Sequence, residues 1–429
     1  MPAPLSLSID STALQRELDE LAAISEQPAP VVTRVLFSDA DLRAREFVKR
    51  LCREAGLNLR EDAVGNIFAR WPGKNSALPP VATGSHIDAI PNAGRYDGVV
   101  GVLGGIEAIR ALRRAGFQPE RAIELIVFTA EEPTRFGIGC LGSRLLSGVL
   151  TPEKAAALRD REGKSLDHWR HQAGFAEQPL ASVQLAEGCY SAFVELHIEQ
   201  GPLLEQEDLP IGIVEKIAAP ATLHVELTGE GGHAGAVLML NRRDALLAGA
   251  EIALAVERAV TSTGSPDTVG TTGVFRIEPG AVNSVPCLAH LEIDVRDTQA
   301  KTRDAALREI ERAADEICLR RSVGLQLKTL NADPPAICDQ AVVETVTKVC
   351  EDLHLRARRM ISRAYHDSLF MAQVCPTTMI FIPCRGGVSH RPDEYSSPEQ
   401  IRAGVAVLAE TLRRIAGPGF ATWQPGASR

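Results

Sequence analysis

The sequence predicts an α/β protein in which a smaller α+β domain is inserted into a larger one. In the first part, apolar strand patterns alternate with a helix pattern, which is typical of a mixed, largely parallel sheet flanked by helices. From about residue 214 the order becomes strand, helix, strand, strand, helix, strand, which describes a ferredoxin-like layer. With 429 residues, 45% of them hydrophobic, the chain is long enough for both domains.

The larger domain begins with two helix patterns. Apolar residues recur at three- and four-residue spacing in ALQRELDELAAI and ADLRAREFVKRLCREAGL, so we expect helices within residues 11–57. The following segments indicate strands at VGNIFARW and PPVATGSHID, a helix at GVVGVLGGIEAIRALRRAG and a strand at AIELIVFTAEE. Such sheets bind ligands at the carboxyl ends of their strands, where the polar residues of TGSHID and FTAEE would lie.

The inserted domain is expected at residues 214–330, between parts of the larger domain at 1–213 and 331–429. Its strands are predicted in IAAPATLHVELTGEGG, TVGTTGVFRIEP, PCLAHLEIDVRD and VGLQLKTLNA, and its helices in RRDALLAGAEIALAVERAV and KTRDAALREIERAADEICLRR. A last helix is expected at about 398–415. The final residues, GFATWQPGASR included, are expected to be a frayed end.

Charge and composition argue against several classes of protein. The formal net charge is −9 and no run of lysine and arginine occurs, which disfavours a nucleic-acid partner. No apolar stretch reaches about 18 residues, and the N-terminus lacks the pattern of an export signal. The nine cysteines are scattered without a CxxC pair, as expected for reduced thiols. We therefore expect a cytoplasmic protein that binds neither nucleic acid nor membrane.

The segment GSHIDAIPNAGRYDG, residues 84–98, concentrates groups that can bind metals. In an extended HID segment, His86 and Asp88 lie on the same face. The aspartate can therefore accept one imidazole N–H while the other ring nitrogen binds a metal. Asp97 precedes a predicted helix and is followed by glycine, which lets the backbone approach a ligand closely. A carboxylate in that position can bridge two cations.

Further candidate ligands lie at the ends of other predicted strands. Glu131 and Glu132 end an apolar strand pattern, and neighbouring side chains of a strand point in opposite directions, so one can bind a metal while the other handles protons. His197 ends the strand pattern of FVELHIEQGP, and His390 follows the apolar start of FIPCRGGVSHRPDE. The complete ligand set is His86, Asp97, Glu132, His197 and His390. Imidazoles and carboxylates without thiolates suit Zn(II), Mn(II) or Co(II), and favour a hydrolase with paired metal ions.

Simpler interpretations apply to other residues. A lone histidine is more often an ordinary surface or core residue than a ligand, so five receive no role: His168, His171, His224, His290 and His354. The glycines of GGIEAIRALRRAG lie within a helix pattern with no Lys-Ser or Lys-Thr after them, which disfavours a phosphate loop. Arg296 in EIDVRD can simply pair with Asp294 or Asp297. Cys384 has no neighbouring base and is expected to be a small buried residue.

Several motifs resemble the dinuclear-metal amidohydrolase branch of the aminoacylase and carboxypeptidase superfamily. They are GSHIDAIPNAGRYDGVVGVLGGIEAI, FTAEEPTRFGIGCLGSRLL, ELHIEQGP, GGHAGAVLM, GAVNSVP and GVSHRPDEYSSPE. The branch includes N-carbamoyl-L-amino-acid hydrolases, β-ureidopropionases, and allantoate and ureidoglycolate amidohydrolases. Within it, the segments most similar to the ureidoglycolate group are EEPTRFGIGCLGSRLL, AAPATLHVELTGEGGHAGAVLM and ISRAYHDSLFMAQ. Carbamoylases and allantoate amidohydrolases more usually have Glu-Glu-Gly-Ser-Arg-Phe, where this chain has Pro133 and Thr134.

The resemblance implies two divalent metal ions per subunit, Mn(II) or Zn(II). It implies that His86 and His197 hold one ion, that Glu132 and His390 hold the other, and that Asp97 bridges them. The larger domain would then be a metal-binding catalytic domain, and the inserted domain a lid and dimerisation domain.

The resemblance also implies how the chemistry and the substrate contacts are divided. Glu131 would take a proton from the attacking water and pass it to the departing nitrogen. The inserted domain would contribute His233 and Asn283 across a homodimer interface to stabilise the oxyanion, and Arg296 to clamp a substrate carboxylate. Gln200 would line the site.

For His366 in RAYHDS two interpretations stay open: it lies near the substrate with Asp367, or it caps a helix. The implied activity is hydrolysis of the ureido amide bond of a small carboxylate, with ureidoglycolate as the first candidate. The alternatives are an N-carbamoyl-L-amino-acid hydrolase or allantoate amidohydrolase, an exopeptidase, and a non-catalytic binding protein with the same scaffold.

Overall fold

A computed structural model describes residues 7–420, and the chain divides into two compact units. The larger unit takes in the chain up to Glu215, Ile337–Met360 and the chain from His366 onward. The inserted unit is Lys216–Ala336 together with Ile361–Tyr365. Its second boundary therefore falls later than the predicted residue 330, and the short segment at 361–365 was not predicted. The frayed end expected beyond residue 420 lies outside the described residues.

The strands are numbered in chain order. They are β1 (Val32–Arg34), β2 (Asn58–Glu61), β3 (Ile67–Trp71), β4 (Val81–His86), β5 (Ala89–Ala93), β6 (Ile123–Phe128), β7 (Ala192–Ile198), β8 (Ile211–Ile217), β9 (Ala219–Thr228), β10 (Gly232–His233), β11 (Val269–Glu278), β12 (Ser284–Val285), β13 (Leu288–Asp297), β14 (Gly324–Ala332), β15 (Ala336–Ile337), β16 (Ala357–Ser362) and β17 (Thr377–Ile382).

The α-helices are numbered in the same way. They are α1 (Ser11–Ala22), α2 (Asp39–Glu54), α3 (Val99–Arg114), α4 (Leu141–Ser147), α5 (Pro152–Ala157), α6 (Leu166–Ala173), α7 (Leu203–Gln206), α8 (Ala245–Thr261), α9 (Ala300–Arg321), α10 (Gln340–Asp352), α11 (Asp367–Met371) and α12 (Pro398–Ala416).

The larger sheet has the strand order β15-β8-β17-β7-β4-β6-β3-β2, with β16 also paired to β8. Its four central strands, β17, β7, β4 and β6, run parallel, whereas β8, β3 and β2 are antiparallel to their neighbours. Every residue of the four central strands is buried, as expected where helices cover both faces of a sheet. The predicted mixed sheet flanked by helices is confirmed, and its parallel part is the centre.

Some short elements escaped the sequence analysis. Strand β1 lies between the two predicted N-terminal helices and pairs with β5 in a small separate sheet. A strand of three residues is too short for an alternating pattern to be recognised. Strand β6 also ends at Phe128, before the two glutamates that were expected to end it.

The inserted unit follows the predicted order of elements, β9-α8-β11-β13-α9-β14. Its antiparallel sheet has the strand order β11-β13-β9-β14. Alternate residues of β9 and β13 are buried, among them Leu223, Leu291 and Ile293, in a core shared with α8 and α9. Within residues 7–420, none of the helices combines the length and apolar character needed to cross a membrane.

Removal of a core side chain from β13 tests this alternation. Leu291→Ala should lower the free energy of unfolding by about 2–5 kcal/mol, because Leu291 is fully buried and its loss leaves a cavity. Leu288→Ala on the same strand is the matched control. Because Leu288 is 41% exposed, this substitution should lower the free energy of unfolding by less than about 1 kcal/mol. Urea-induced unfolding of both variants measures the difference. Equal losses would mean that the two faces of β13 are assigned wrongly.

Candidate metal centre

Four of the predicted ligands meet at one edge of the larger sheet. His86 is the last residue of β4, and His197 is the next-to-last residue of β7. Glu132 lies in the loop after β6, and His390 lies in the segment between β17 and α12. Because β4, β6, β7 and β17 are parallel, their carboxyl ends share this edge and bring the four side chains together.

The carboxylate of Asp97 lies between the histidines of this group. Its Oδ1 is 3.2 Å from Nε2 of His197 and 3.5 Å from Nε2 of His86. Its Oδ2 is 3.3 Å from Nε2 of His390, which is itself 3.2 Å from Oε1 of Glu132. Two groups of three potential ligands therefore share Asp97, and their membership is the one that the resemblance implied.

The orientation of two imidazoles fits a metal ion. Nδ1 of His86 is 3.1 Å from the carbonyl oxygen of Asp88, and Nδ1 of His197 is 2.9 Å from that of Ile198. A carbonyl only accepts, so each Nδ1 carries a proton; in the neutral ring Nε2 is then the acceptor atom that faces Asp97, and in His197 it also accepts the N–H of Gly98. Nε2 of His86 is buried with no hydrogen-bond partner among residues 7–420. The Nε2 lone pairs repel the carboxylate oxygens of Asp97. A cation bound between them would offset this repulsion and would give Nε2 of His86 a partner.

Gly98 makes the close approach of Asp97 to the histidines possible. It is the N-cap residue of α3, its φ is 66°, and its N–H donates to Nε2 of His197 at 3.1 Å. A Cβ atom on Gly98 would lie 2.4 Å from ring atoms of His86. Any other residue would therefore face both a left-handed backbone conformation and a collision with a candidate ligand.

The ionisable groups of the centre shift one another's pKa values. Burial alone would raise the pKa of the Asp97 carboxyl, but the facing imidazoles of His197, His390 and His86, when protonated, outweigh burial and hold that pKa well below its usual range. Hydrogen bonds to Asp97 and Glu132 raise the pKa of His390 to about 11. The arrangement therefore favours positive charge among the imidazoles, supplied either by protons or by a metal ion.

The sequence between residues 82 and 414 matches the model of peptidase family M20/M25/M40. The chain belongs to this family. It is 54% identical over 418 residues to ureidoglycolate hydrolase of Arabidopsis thaliana, an alignment that covers 96% of this chain and 87% of that protein. It is 38% identical over 408 residues to N-carbamoyl-L-amino acid amidohydrolase of Geobacillus stearothermophilus, covering 95% of this chain and 99% of that one.

Solved structures agree with this family membership. Crystal structures of AtUAH in complex with glyoxylate and with (S)-hydroxyglycine each give a TM-score of 0.90 at 54% identity, over 96% of this chain and 99% of theirs. The resemblance inferred from the motifs is therefore confirmed. Both named relatives are hydrolases.

Asp88 holds the centre in a way that differs from the prediction. Its carboxylate was expected to accept the N–H of His86, but Oδ1 is 3.6 Å from Nδ1 of His86, and the backbone carbonyl of Asp88 is the closer acceptor. The carboxylate instead accepts the backbone N–H groups of Glu131 at 3.2 Å and Glu132 at 3.1 Å. One residue thus orients both the imidazole and the loop that carries the two glutamates.

Glu131 and Glu132 diverge for a reason other than strand alternation. They lie in a loop, and Ala130 before them has a φ of 53°, so the period of two does not apply. Glu132 points to His390, whereas Oε2 of Glu131 is 3.8 Å from Nε2 of His86. Burial raises the pKa of Glu131 well above its usual range; His86 partly offsets this rise, and Glu132 adds to it.

Two residues that support Asp97 were missed in the sequence. Oγ of Ser389 is 2.6 Å from Oδ2 of Asp97 and 3.0 Å from Oε2 of Glu394. Oε1 of Glu394 accepts the N–H of Tyr96 at 2.7 Å and that of Asp97 at 3.1 Å. The sequence feature that could have identified Ser389 and Glu394 is their position close to His390 in SHRPDE.

Gln200 was expected to line the site. Its Nε2 donates a hydrogen bond to Oδ2 of Asp97 at 2.7 Å.

His366 lies beside the centre. Its ring centroid is 4.4 Å from that of His197, and it forms a third group of potential ligands with His197 and Glu195. It occupies the N-cap position of α11, but its side chain makes no capping hydrogen bond.

Glu195 was not predicted from the sequence. This buried carboxylate accepts hydrogen bonds from the hydroxyls of Ser85 at 2.7 Å and Ser368 at 2.6 Å. The sequence feature that could have identified it is a glutamate inside the otherwise apolar strand AFVELHI, because a buried carboxylate needs hydrogen-bond partners.

The three remaining predicted residues belong to the inserted unit. His233 and Asn283 are close, because β10 pairs with β12 and Ala234 N–H donates to the carbonyl of Asn283 at 2.8 Å. Arg296 makes the simpler contact that the sequence also allowed: Nε and Nη2 lie 2.7 Å and 3.3 Å from the two carboxylate oxygens of Asp294. A substrate carboxylate at Arg296 would have to compete with Asp294.

Substitution of Gly98 tests the link between backbone geometry and metal binding. Gly98→Ala should weaken metal binding about tenfold or more, because the added methyl group collides with His86 and the left-handed conformation is strained. Gly116→Ala is the matched control, since Gly116 also has a positive φ but no atom of the described residues lies within 4 Å of the added Cβ. Metal bound per chain after equilibrium dialysis checks the prediction. Wild-type affinity in Gly98→Ala would contradict it.

Proposed function

We propose that this protein hydrolyses the ureido amide bond of a small carboxylate, with ureidoglycolate as the substrate. Cleavage would give ammonia and an unstable carbamate, whose breakdown would release carbon dioxide, a second ammonia and glyoxylate. The observation that carries the proposal is the centre around Asp97 with Glu131 beside it. Its support is the 54% identity to a ureidoglycolate hydrolase. The solved relative with glyoxylate bound adds support for this product.

The residues around Asp97 are proposed to hold two divalent ions, Mn(II) or Zn(II). His86 and His197 would hold one, Glu132 and His390 the other, and Asp97 both. When bound, such a metal pair supplies Lewis-acid activation of the substrate carbonyl and of water. Gln200 and Ser389 fix the Asp97 carboxylate by hydrogen bonds at 2.7 and 2.6 Å, so its two oxygens stay directed at the two groups.

Glu131 is proposed as the general base. Its side chain is buried beside the ligands but lies farther from them than Glu132 does. Oε2 of Glu131 is 3.8 Å from Nε2 of His86, whereas Oε1 of Glu132 is 3.2 Å from Nε2 of His390, so Glu132 is the better placed of the two to bind a metal. Burial raises the pKa of the Glu131 carboxyl, which makes it a better proton acceptor than an exposed glutamate. It would take a proton from the attacking water and deliver it to the departing nitrogen.

The inserted unit is proposed to contribute substrate contacts and to form a homodimer. His233 and Asn283 would stabilise the oxyanion, and Arg296 would bind the substrate carboxylate as a bidentate fork. The loops around His233 and Asn283 expose four large apolar side chains: Leu238, Met239, Leu240 and Val282. An exposed apolar patch of this kind is typical of a protein interface, which supports the dimer.

We also propose a cytoplasmic location. All nine cysteines are free thiols, and seven of them are buried. Unpaired cysteines are typical of proteins in reducing compartments.

A second candidate is hydrolysis of an N-carbamoyl-L-amino acid or of allantoate. The same ligands and Glu131 would serve all of these substrates, and an N-carbamoyl-L-amino acid amidohydrolase is 38% identical to this chain. A non-catalytic binding protein is disfavoured, because it would have no use for a buried glutamate beside the ligands.

A substrate comparison tests the proposal. Ammonia release is measured with the purified protein and Mn(II) or Zn(II), using ureidoglycolate, allantoate and several N-carbamoyl-L-amino acids. The proposal expects ureidoglycolate to have the highest kcat/KM. A higher value for another ureido substrate would keep the mechanism and change the substrate, whereas no turnover of any of them would contradict the proposal.

Substitution of Glu131 tests its assignment as base. Glu131→Gln should lower kcat roughly 10²- to 10⁴-fold while metal content stays at the wild-type level, because the group transfers protons and is not a ligand. Glu132→Gln is the comparison variant and should lose bound metal as well as activity. Loss of metal in Glu131→Gln would contradict the division of roles.

Removal of metal should abolish turnover. Treatment with a chelator is expected to reduce ammonia release by about a hundredfold or more, since the Lewis acid accounts for several kcal/mol of transition-state stabilisation. Addition of Mn(II) or Zn(II) after removal of the chelator should restore it. Full activity of metal-depleted protein, verified by elemental analysis, would rule out the proposed mechanism.

A further inference from the structure

The sheet of the inserted unit has one face covered by helices and one open face. Along β9 and β13, buried residues alternate with more exposed ones, and the buried set packs against α8 and α9. His224 on β9 and His290 and Glu292 on β13 all belong to the more exposed set. Because alternate residues of a strand share a face, these three side chains lie on the open side of the sheet.

The register of the strands brings the three side chains together. His224 is directly opposite Glu292, and His290 is two residues from Glu292 on the same strand. Nε2 of His290 is 3.1 Å from Oε1 of Glu292, and Nε2 of His224 is 3.8 Å from Oε2. The two rings are nearly perpendicular, at 81°, with their centroids 5.2 Å apart. Both imidazoles therefore direct Nε2 at the oxygens of one carboxylate.

These distances are close to those of a three-ligand metal site. One donor atom from each residue lies within 4.8 Å of the other two. Around a tetrahedral ion with bonds of about 2.0–2.1 Å, neighbouring ligand atoms are about 3.3 Å apart, so small side-chain rotations suffice. Two imidazoles and a carboxylate are ligands for Zn(II), Ni(II) or Cu(II) rather than for Mg(II) or Ca(II). The side chains are 27–37% exposed, so an ion can reach them from solvent.

We propose that His224, His290 and Glu292 form a separate binding site for a divalent transition-metal ion. The site shares no residue with the groups around Asp97 and does not depend on the proposed hydrolytic function. An ion held there would connect β9 and β13, the two central strands of this sheet. Both histidines were predicted to have no role because a lone histidine is more often an ordinary residue than a ligand. Only the strand register brings the two together.

Neighbouring charges set the expected strength of binding. Lys328 on β14 is opposite His224, and Arg276 on β11 is opposite His290, so two positive charges flank the site. Glu226 on β9 is also opposite His290 and adds a negative charge. Since a nearby positive charge disfavours a bound cation, loss of Lys328 should tighten binding.

Metal counting tests the proposal. The full-length protein is stripped with a chelator and equilibrated with Zn(II), and the ions bound per chain are counted by elemental mass spectrometry. The double variant H224Q/H290Q should bind one ion fewer per chain than the wild type. The matched control H168Q/H354Q removes two exposed histidines elsewhere and should bind the wild-type number.

Two single variants test the site by affinity. Glu292→Gln should weaken the binding of this ion about tenfold or more, because it removes a charged ligand. Lys328→Gln removes a neighbouring positive charge but no ligand, and should tighten binding about two- to fivefold. The proposal is overturned if H224Q/H290Q binds as many ions as H168Q/H354Q, or if Lys328→Gln leaves every measured affinity unchanged.

Discussion

Buried negative charge dominates the carboxyl edge of the larger sheet. The carboxylates of Asp97, Glu131 and Glu132 are all at most 9% exposed, and carboxylates this close together in a weakly polar environment repel one another. Such a cluster is stable only with compensating positive charge. His86, His197 and His390 provide the means, because their Nε2 atoms face these carboxylates and can bind either protons or metal ions. The parallel strands, the glycine beside Asp97 and the hydrogen bonds of Asp88 all maintain this arrangement.

The sequence predicted the fold well where patterns are long. The central strands of the larger sheet are fully buried and lie in largely apolar segments, and the central strands of the inserted unit alternate buried and more exposed residues, so both were recognised. What escaped detection depends on tertiary contacts: β1 has only three residues and is defined by its pairing with β5. The return of residues 361–365 to the inserted unit is likewise a matter of packing, and local sequence carries no signal for it.

The candidate ligands were predictable because each lies at or just beyond the end of an apolar strand. Their supporting residues were harder to predict, since hydrogen-bond partners depend on side-chain directions. The Asp88 carboxylate was expected to accept the N–H of His86, and instead it accepts the backbone N–H groups of Glu131 and Glu132.

Ser389 and Glu394 belong to no recognisable sequence pattern, and their contacts with Asp97 join residues almost 300 positions apart in the chain. The cluster of His224 and His290 could not be predicted for a similar reason, because only the register of β9 and β13 brings the two residues together.

Asp97 is proposed to join two metal positions. Crystals of the protein grown with Mn(II), with diffraction data collected at the manganese absorption edge, test it directly. Two anomalous peaks are expected near Asp97, one within about 2.0–2.3 Å of donor atoms of His86 and His197, the other equally close to Glu132 and His390. A single peak, or two peaks of which only one contacts Asp97, would contradict the claim.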